Sequence, residues 1–170
     1  MNFEDVRPFM ETHHRGVIGT RRANGATHSS IVACGAFQGK AAFVSVYARS
    51  VKVRNLRRDA TCTVLCVDDN WRNYSVVEGQ AQLYDYGNTD AEEIRQMMRD
   101  VYMACSATEH PNWEEFDQAM IDQKRSSALV TVSAGAGDVP DGCSSGGIFG
   151  TDASPGTGYA EAVEETGGVF

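Results

Sequence analysis

In six short segments of the chain, apolar residues run together or alternate with polar ones, a pattern that predicts β-strands. Val, Ile, Thr, Cys and aromatic residues are frequent in these segments. Asn24–Gly25 predicts a tight turn between the first two, because both residues accept positive φ angles. The predicted strands are residues 15–22, 27–34, 41–47, 61–67, 74–84 and 127–133.

Four other segments place apolar residues at the spacing of a helix. These predicted helices cover about residues 3–14, 51–58, 90–105 and 113–121. The candidate N-caps are Ser50, Thr89 or Asp90, and Asn112. Met97 and Met98 are interpreted as core residues, and Ile121 is predicted to share the apolar face of the last helix. Six strands with two helices before the last predict a mainly β fold, a six-stranded antiparallel barrel with helical additions.

The composition changes at Ala134, after which Gly, Ser, Ala and acidic residues dominate. Such a segment buries too little apolar surface to offset the entropy lost on ordering. We therefore predict a globular domain at 1–133 and a disordered tail at 134–170. The tail holds six acidic residues and no Lys or Arg follows Arg125, so the first 125 residues carry only −2 of the total charge of −8.

Composition narrows the class of protein. The chain has 170 residues, 42% of them apolar, which suits one domain with an ordinary core. No apolar run approaches the roughly 20 residues of a membrane span, and no early segment resembles a signal peptide. Five cysteines, an odd number, favour reduced intracellular thiols. We expect a soluble cytoplasmic protein that binds neither membranes nor nucleic acid, since the domain is almost neutral.

Basic residues are nevertheless concentrated at one place. Five of the fifteen Lys and Arg residues fall within ten positions: Arg49, Lys52, Arg54, Arg57 and Arg58. This cluster follows a predicted strand and opens a predicted helix with Ser50 as its N-cap, an arrangement that favours phosphate binding. Lys52 lies in the first turn, Arg49 and Arg54 are within reach of the same anion, and Arg57 and Arg58 face solvent or a long anionic ligand. The alternative is a solvated basic surface.

Three further residues are candidates for contacting a ring-shaped ligand. Trp71 lies in a polar loop, where a large aromatic side chain covers a cofactor, contacts a second subunit or anchors the loop. Ser30 and Ser45 interrupt apolar strands, so they either donate to a heterocycle or point harmlessly outward. No nucleophile elbow, phosphate-binding glycine loop, dinucleotide motif or metal-spaced histidine pair is present. The chemistry is therefore assigned to a bound cofactor, with no catalytic residue identified.

The run 49–59, Trp71 and the segments 74–81 and 113–120 together resemble the flavin-binding split barrels related to pyridoxamine phosphate oxidase. More narrowly they resemble the branch that uses the deazaflavin coenzyme F420. The resemblance covers about residues 5–132. It implies a split β-barrel and a homodimer with a cofactor in each of two grooves between the subunits.

The same resemblance implies roles for individual residues. Lys52 matches the lysine that meets the cofactor phosphate, with Ser50 beside it, and Ser30, Ser45 and Trp71 match positions around the ring. Relatives carry an arginine one or two residues before that lysine, whereas this chain has its arginine at position 49. The candidate cofactor-binding set is Lys52, Ser50, Arg49, Arg54, Asn55, Ser45, Ser30 and Trp71.

The function implied is an F420-dependent oxidoreductase that passes a hydride to an unsaturated or conjugated small molecule. One alternative is an FMN-dependent oxidase or reductase on the same scaffold. The other is a flavin- or haem-binding split-barrel protein without catalysis.

Overall fold

The computed structural model describes residues 2–45, 47 and 49–132, and within them six strands form one closed barrel. The strands are β1 (Arg15–Arg21), β2 (Thr27–Phe37), β3 (Lys40–Ser45), β4 (Thr61–Val67), β5 (Tyr74–Tyr84) and β6 (Ser126–Val132). Their order around the barrel is β1-β2-β3-β6-β5-β4, and every neighbouring pair is antiparallel. The predicted six-stranded antiparallel barrel is confirmed. The predicted tail at 134–170 lies outside the described residues.

Four helices connect or flank these strands. They are α1 (Phe3–Met10), α2 (Val51–Arg58), α3 (Ala91–Ser106) and α4 (Trp113–Asp122). The predicted caps of the last three are confirmed: the side chains of Ser50, Asp90 and Asn112 accept hydrogen bonds from first-turn N–H groups. The first helix is four residues shorter than predicted, because the chain after it joins the sheet. There the carbonyl of His14 accepts a hydrogen bond from the N–H of Cys34.

Alternation along the strands separates the barrel interior from its outside. Ile18, Val64 and Val77 point inward and are at most 2% exposed, while their sequence neighbours lie on the outer face. The interior also holds Phe43 and Val130 from the two strands that close the barrel. None of the described helices is both long enough and apolar enough to span a bilayer.

The helices form two smaller apolar clusters on the outside of the barrel. Met98 is 1% exposed and Met97 packs against both clusters, which confirms that they are core residues. Ile121 is 49% exposed, so its assignment to the buried face of α4 was wrong. It lies at the end of the helix, one residue past the buried Met120 and five past Phe116, where the face has turned toward solvent.

α3 packs against β2 and β3, and Gly35 sets its distance from the sheet. A Cβ atom at Gly35 would lie 1.9 Å from the carbonyl oxygen of Ala104 in α3. Backbone is therefore in direct contact with backbone at this crossing, and no larger residue fits without a shift of the helix.

We predict that Gly35→Ala destabilises the protein by about 1–3 kcal/mol, because the added methyl group must push α3 away from β2. Gly19→Ala is the matched control, since a Cβ there meets nothing closer than 3.8 Å. Denaturant unfolding measures both variants. Equal free energies of unfolding for the two would contradict the close packing at Gly35.

Candidate functional site

The basic cluster lies at the end of the barrel where β3 ends and α2 begins. The chain leaves Ser45, makes a turn in which the N–H of Ser50 donates to the carbonyl of Tyr47 (3.0 Å), and enters α2 at Val51. The Ser50 hydroxyl accepts a hydrogen bond from the N–H of Val53 at 3.4 Å. First-turn N–H groups and the positive end of the helix dipole meet here, as the sequence predicted.

Lys52 is the most informative residue of this cluster. It is 8% exposed, and it makes no hydrogen bond or ion pair with any other described residue. Burial lowers the pKa of its ammonium group. A lysine that is largely buried and lacks a carboxylate partner is costly unless an anion compensates its charge.

Two arginines of the cluster are bonded to other residues of the protein, and two are not. Arg57 pairs with Asp85 at 2.9 Å, and Arg58 donates to the side chain of Asn55 and to the carbonyl of Arg21. Both lie on the surface, as predicted. The exposed side chains of Arg49 and Arg54 make no hydrogen bond or ion pair within the described part of the chain, which leaves them available to a ligand.

Asn55 faces inward and fixes α2 to the barrel. It is 4% exposed, and its amide donates to the hydroxyl of Thr20 in β1 at 3.0 Å. Its hydrogen-bonding groups are thus occupied within the protein, and its contact with a cofactor stays a prediction. By fixing the helix, Asn55 also fixes Lys52 and Ser50.

Ser30 carries a second uncompensated polar atom. It lies in β2 opposite Ile18, and its hydroxyl oxygen is buried without a hydrogen-bond partner among the described residues. The Nδ1 atom of His28, two residues along the same face, is in the same state. Buried orphan atoms of this kind fit a site that contacts polar groups of a ligand.

A pocket of about 520 Å³ lies beside the N-cap of α2. Its lining includes Tyr47, Arg49, Ser50, Asp122, Gln123 and Lys124. One wall of the pocket follows β3 along the chain, and the other wall precedes β6. The two walls meet because Ser45, the last residue of β3, pairs with Ser126, the first residue of β6. The volume lies in the range of small-molecule sites.

The sequence analysis missed the second wall of this pocket. Gln123 and Lys124 lie about 75 residues beyond Arg49, and only the pairing of β3 with β6 brings them together. The one available signal was the basic pair Lys124–Arg125, which one residue separates from the last predicted strand at 127–133.

Trp71 lies at the opposite end of the barrel from Lys52. α2 leads into the first residue of β4, whereas Trp71 follows its last residue, and a seven-residue strand spans about 20 Å. Within one chain the structure therefore does not bring Trp71 together with the basic cluster. Its side chain is 56% exposed, which rules out the alternative of a buried loop anchor.

The loop that carries Trp71 is held in a defined conformation. The Asp68 carboxylate accepts hydrogen bonds from the N–H of Arg72 and the side chain of Asn73, both at 2.8 Å. Burial opposes ionisation of Asp68, but these donors outweigh it and lower its pKa. Trp71 has a positive φ of 59°, a strained backbone conformation that holds its indole ring out toward solvent.

Comparison with known proteins identifies the family. The family model described as pyridoxamine 5'-phosphate oxidase matches residues 3–137, more than three quarters of the chain. The chain therefore belongs to the pyridoxamine 5'-phosphate oxidase family, and its barrel is the flavin-binding split barrel of that family.

Solved structures with this fold have varied descriptions. A conserved hypothetical protein of Mycobacterium tuberculosis is 18% identical with a TM-score of 0.59, covering 78% of this chain and 81% of that one. A haem-binding protein of Mycobacterium smegmatis is also 18% identical (TM-score 0.56; 77% and 51% covered). An F420 reductase is 19% identical (TM-score 0.51; 75% and 93% covered). At these identities the likeness concerns the fold.

The buried charge of Lys52 leads to a prediction about stability. Without a ligand, Lys52→Met should raise the free energy of unfolding by about 1 kcal/mol at neutral pH, because an unpaired cation is replaced by an apolar side chain of similar length. The folded protein has the lower lysine pKa, so the wild type should gain stability as pH rises from that lowered pKa toward the ordinary value of 10.5. The variant should lack this gain.

Denaturant unfolding of both proteins between pH 7 and pH 10.5 measures the difference, since titration of all other groups is common to them. Lys40→Met, at the start of β3, is a control for the loss of a lysine elsewhere. A Lys52→Met protein less stable than wild type at neutral pH would contradict the proposed uncompensated charge.

Proposed function

We propose that this protein is an oxidoreductase that uses coenzyme F420 to reduce an unsaturated or conjugated small molecule. The observation that carries the proposal is Lys52 in the first turn of α2, a residue only 8% exposed whose ammonium group has no partner among the described residues. Family membership supports a flavin-type cofactor, and the cradle of Lys52, Ser50 and first-turn N–H groups fits the phosphate of such a cofactor.

The two arginines without a partner among the described residues favour F420 over FMN. Arg49 and Arg54 are exposed and without a partner among the described residues, in a chain whose formal charge is −8. F420 has an anionic polyglutamyl extension beyond its phosphate, which FMN lacks. Cations that continue outward from Lys52 suit this longer anion.

In the proposed reaction the chain's own residues bind and orient. Lys52 and Ser50 hold the phosphate, and Ser30 and Ser45 are assigned to polar groups of the ring. Bound there, reduced F420 would supply the hydride for reduction of an electron-poor carbon of the acceptor, with solvent as the source of the proton that completes the reduction. The protein contributes position and electrostatics.

We predict that the purified protein binds oxidised F420 more tightly than FMN in a titration followed by ligand fluorescence. Lys52→Met should raise the Kd for F420 roughly ten- to hundredfold, the effect of losing one charge-assisted contact. Lys40→Met should leave it unchanged. Preference for FMN would transfer the protein to the oxidase alternative, and binding of neither would overturn the cofactor assignment.

A homodimer would complete the site. Trp71 and Lys52 lie at opposite ends of one barrel, about 20 Å apart along β4. Consider two barrels placed side by side and related by a two-fold axis perpendicular to the strands. The second barrel then runs in the opposite direction, so each end of one barrel lies beside the other end of its partner. This arrangement would place Trp71 of one subunit at the basic cluster of the other, on both sides of the axis.

The outer face of the barrel offers a surface for this contact. Four apolar residues on adjacent strands are paired directly in register and form an outer apolar row: Ile31, Val17, Leu65 and Val76. Ile31 is 84% exposed and Val76 is 39% exposed. A continuous apolar row across four strands is more than the scattered apolar residues of a monomer surface. We propose that a second copy of the chain covers it.

We predict that Ile31→Asp converts a dimer to a monomer in sedimentation velocity and lowers F420 affinity at the same time, because the site loses its second half. Met103→Asp, which places the same charge at another exposed apolar position on α3, is the matched control. A wild-type protein that is monomeric at high micromolar concentration would overturn the dimer proposal.

Subunit mixing tests whether Trp71 acts across the interface. A heterodimer of Lys52→Met and Trp71→Ala subunits contains one site with both substitutions and one intact site. Mixing the two variants should restore tight F420 binding to about a quarter of the sites. Mixing Lys52→Met with Ser50→Ala, which affect the same side of each site, should restore none.

A further inference from the structure

Lys124, on the wall of the pocket that precedes β6, has a strained backbone conformation. Its φ of 47° lies in the left-handed region that glycine favours. The N–H of Lys124 donates to the carbonyl of Ile121, and the N–H of Arg125 donates to the carbonyl of Met120, both at 3.0 Å. These two bonds form a Schellman motif at the end of α4, in which the residue at the position of Lys124 is usually glycine. A lysine there costs stability that a glycine would not.

The side chain of Lys124 is exposed and makes no hydrogen bond or ion pair with any other described residue. The next residue, Arg125, is held by the protein itself. Its Nη2 atom donates to Gln123 at 2.7 Å, and its guanidinium carbon lies 5.8 Å from the centroid of the Tyr47 ring. No contact within the described part of the chain therefore accounts for a lysine at this strained position.

Lys124 and Arg49 line the pocket of about 520 Å³ from its two walls. Arg49 is also exposed and without a partner among the residues that the structure describes. Asp122 is the one carboxylate in the lining, and it accepts a hydrogen bond from Gln118 at 2.8 Å. Two cations against one carboxylate leave the lining positive. Ser50, the N-cap of α2, lines the pocket as well, so the pocket adjoins the proposed phosphate cradle.

We propose that Lys124 and Arg49 form a second anion subsite, which binds the anionic group that follows the phosphate of the ligand. The ligand class is then a phosphate ester that carries a further anionic chain. The assignment of that chain to the glutamyl carboxylates of F420 rests on the proposed function, whereas the subsite itself does not. Lys124 accordingly distinguishes ligands with such a chain from those that end at the phosphate, as FMN does. This role accounts for a lysine where glycine would be more stable.

The variant Lys124→Gly tests stability and binding together. Glycine relieves the left-handed backbone, so the Tm of the cofactor-free protein should rise by about 2–4 °C in scanning calorimetry. The same substitution should raise the Kd for F420 about tenfold in a fluorescence titration, the effect of losing one charged contact. The affinity for FMN should be unchanged, because FMN does not reach the subsite. A substitution that raises the Tm and weakens binding does not act by disturbing the fold.

Ala107→Gly is the matched control. Ala107 ends α3 with a φ of 54°, is exposed and is not among the pocket residues. Its replacement should raise the Tm by a similar amount and leave both affinities unchanged. Lys124→Arg, which keeps the charge, should keep the wild-type affinity for F420. A Lys124→Gly protein with unchanged F420 affinity, or with a Tm below that of the wild type, would overturn the proposal.

Inorganic probes separate a failure of the subsite from a failure of the proposed cofactor. Tripolyphosphate carries several anionic groups in a chain, whereas phosphate carries one. In cofactor-free protein, Lys124→Gly should weaken tripolyphosphate binding about tenfold in calorimetric titration and leave phosphate binding unchanged. A protein that shows this difference but does not bind F420 supports the subsite and rejects the proposed cofactor. F420 binding that is equally tight in Lys124→Gly keeps the proposed function and rejects the subsite.

Discussion

The pairing of β6 with β3 is the contact on which the rest of the structure depends. β6 is the last strand, and it enters between β3 and β5 to close the barrel. Closure removes the free strand edges and buries Phe43 and Val130 between the two strands that meet. It also places the start of β6 beside the start of α2, so the same hydrogen bonds that complete the core form the pocket.

At the end of the barrel that carries the basic cluster, two basic side chains are held in place without acidic partners among the described residues. Asn55 and Thr20 fix α2 against β1, and this holds Lys52 in a buried position that costs stability in the absence of a ligand. Gln123 fixes Arg125 in a comparable way without neutralising it. These basic groups are thus held in position without a ligand, and under the proposed function this lowers the entropic cost of binding an anion.

The opposite end of the barrel is organised around a loop. Asp68 fixes the loop, and the strained backbone at Trp71 displays an exposed indole ring. The outer apolar row joins the two ends along the side of the barrel. The proposed second copy in reversed orientation would account for all three features, since it would cover the row and bring each Trp71 to a basic cluster.

The sequence by itself determined the elements of this fold, because alternation, helical spacing and capping residues act over a few positions. Six strands, the N-caps at Ser50, Asp90 and Asn112, and the core role of Met98 were all predictable in this way. The position of Lys52 in a first helical turn was also local information. What only the tertiary structure decided were contacts between distant segments: the burial of Lys52, the pairing of Asn55 with Thr20, and the meeting of Tyr47 with Arg125. Such contacts depend on strand register and barrel closure. Both result from many weak pairings between distant residues, so no single sequence position predicts them.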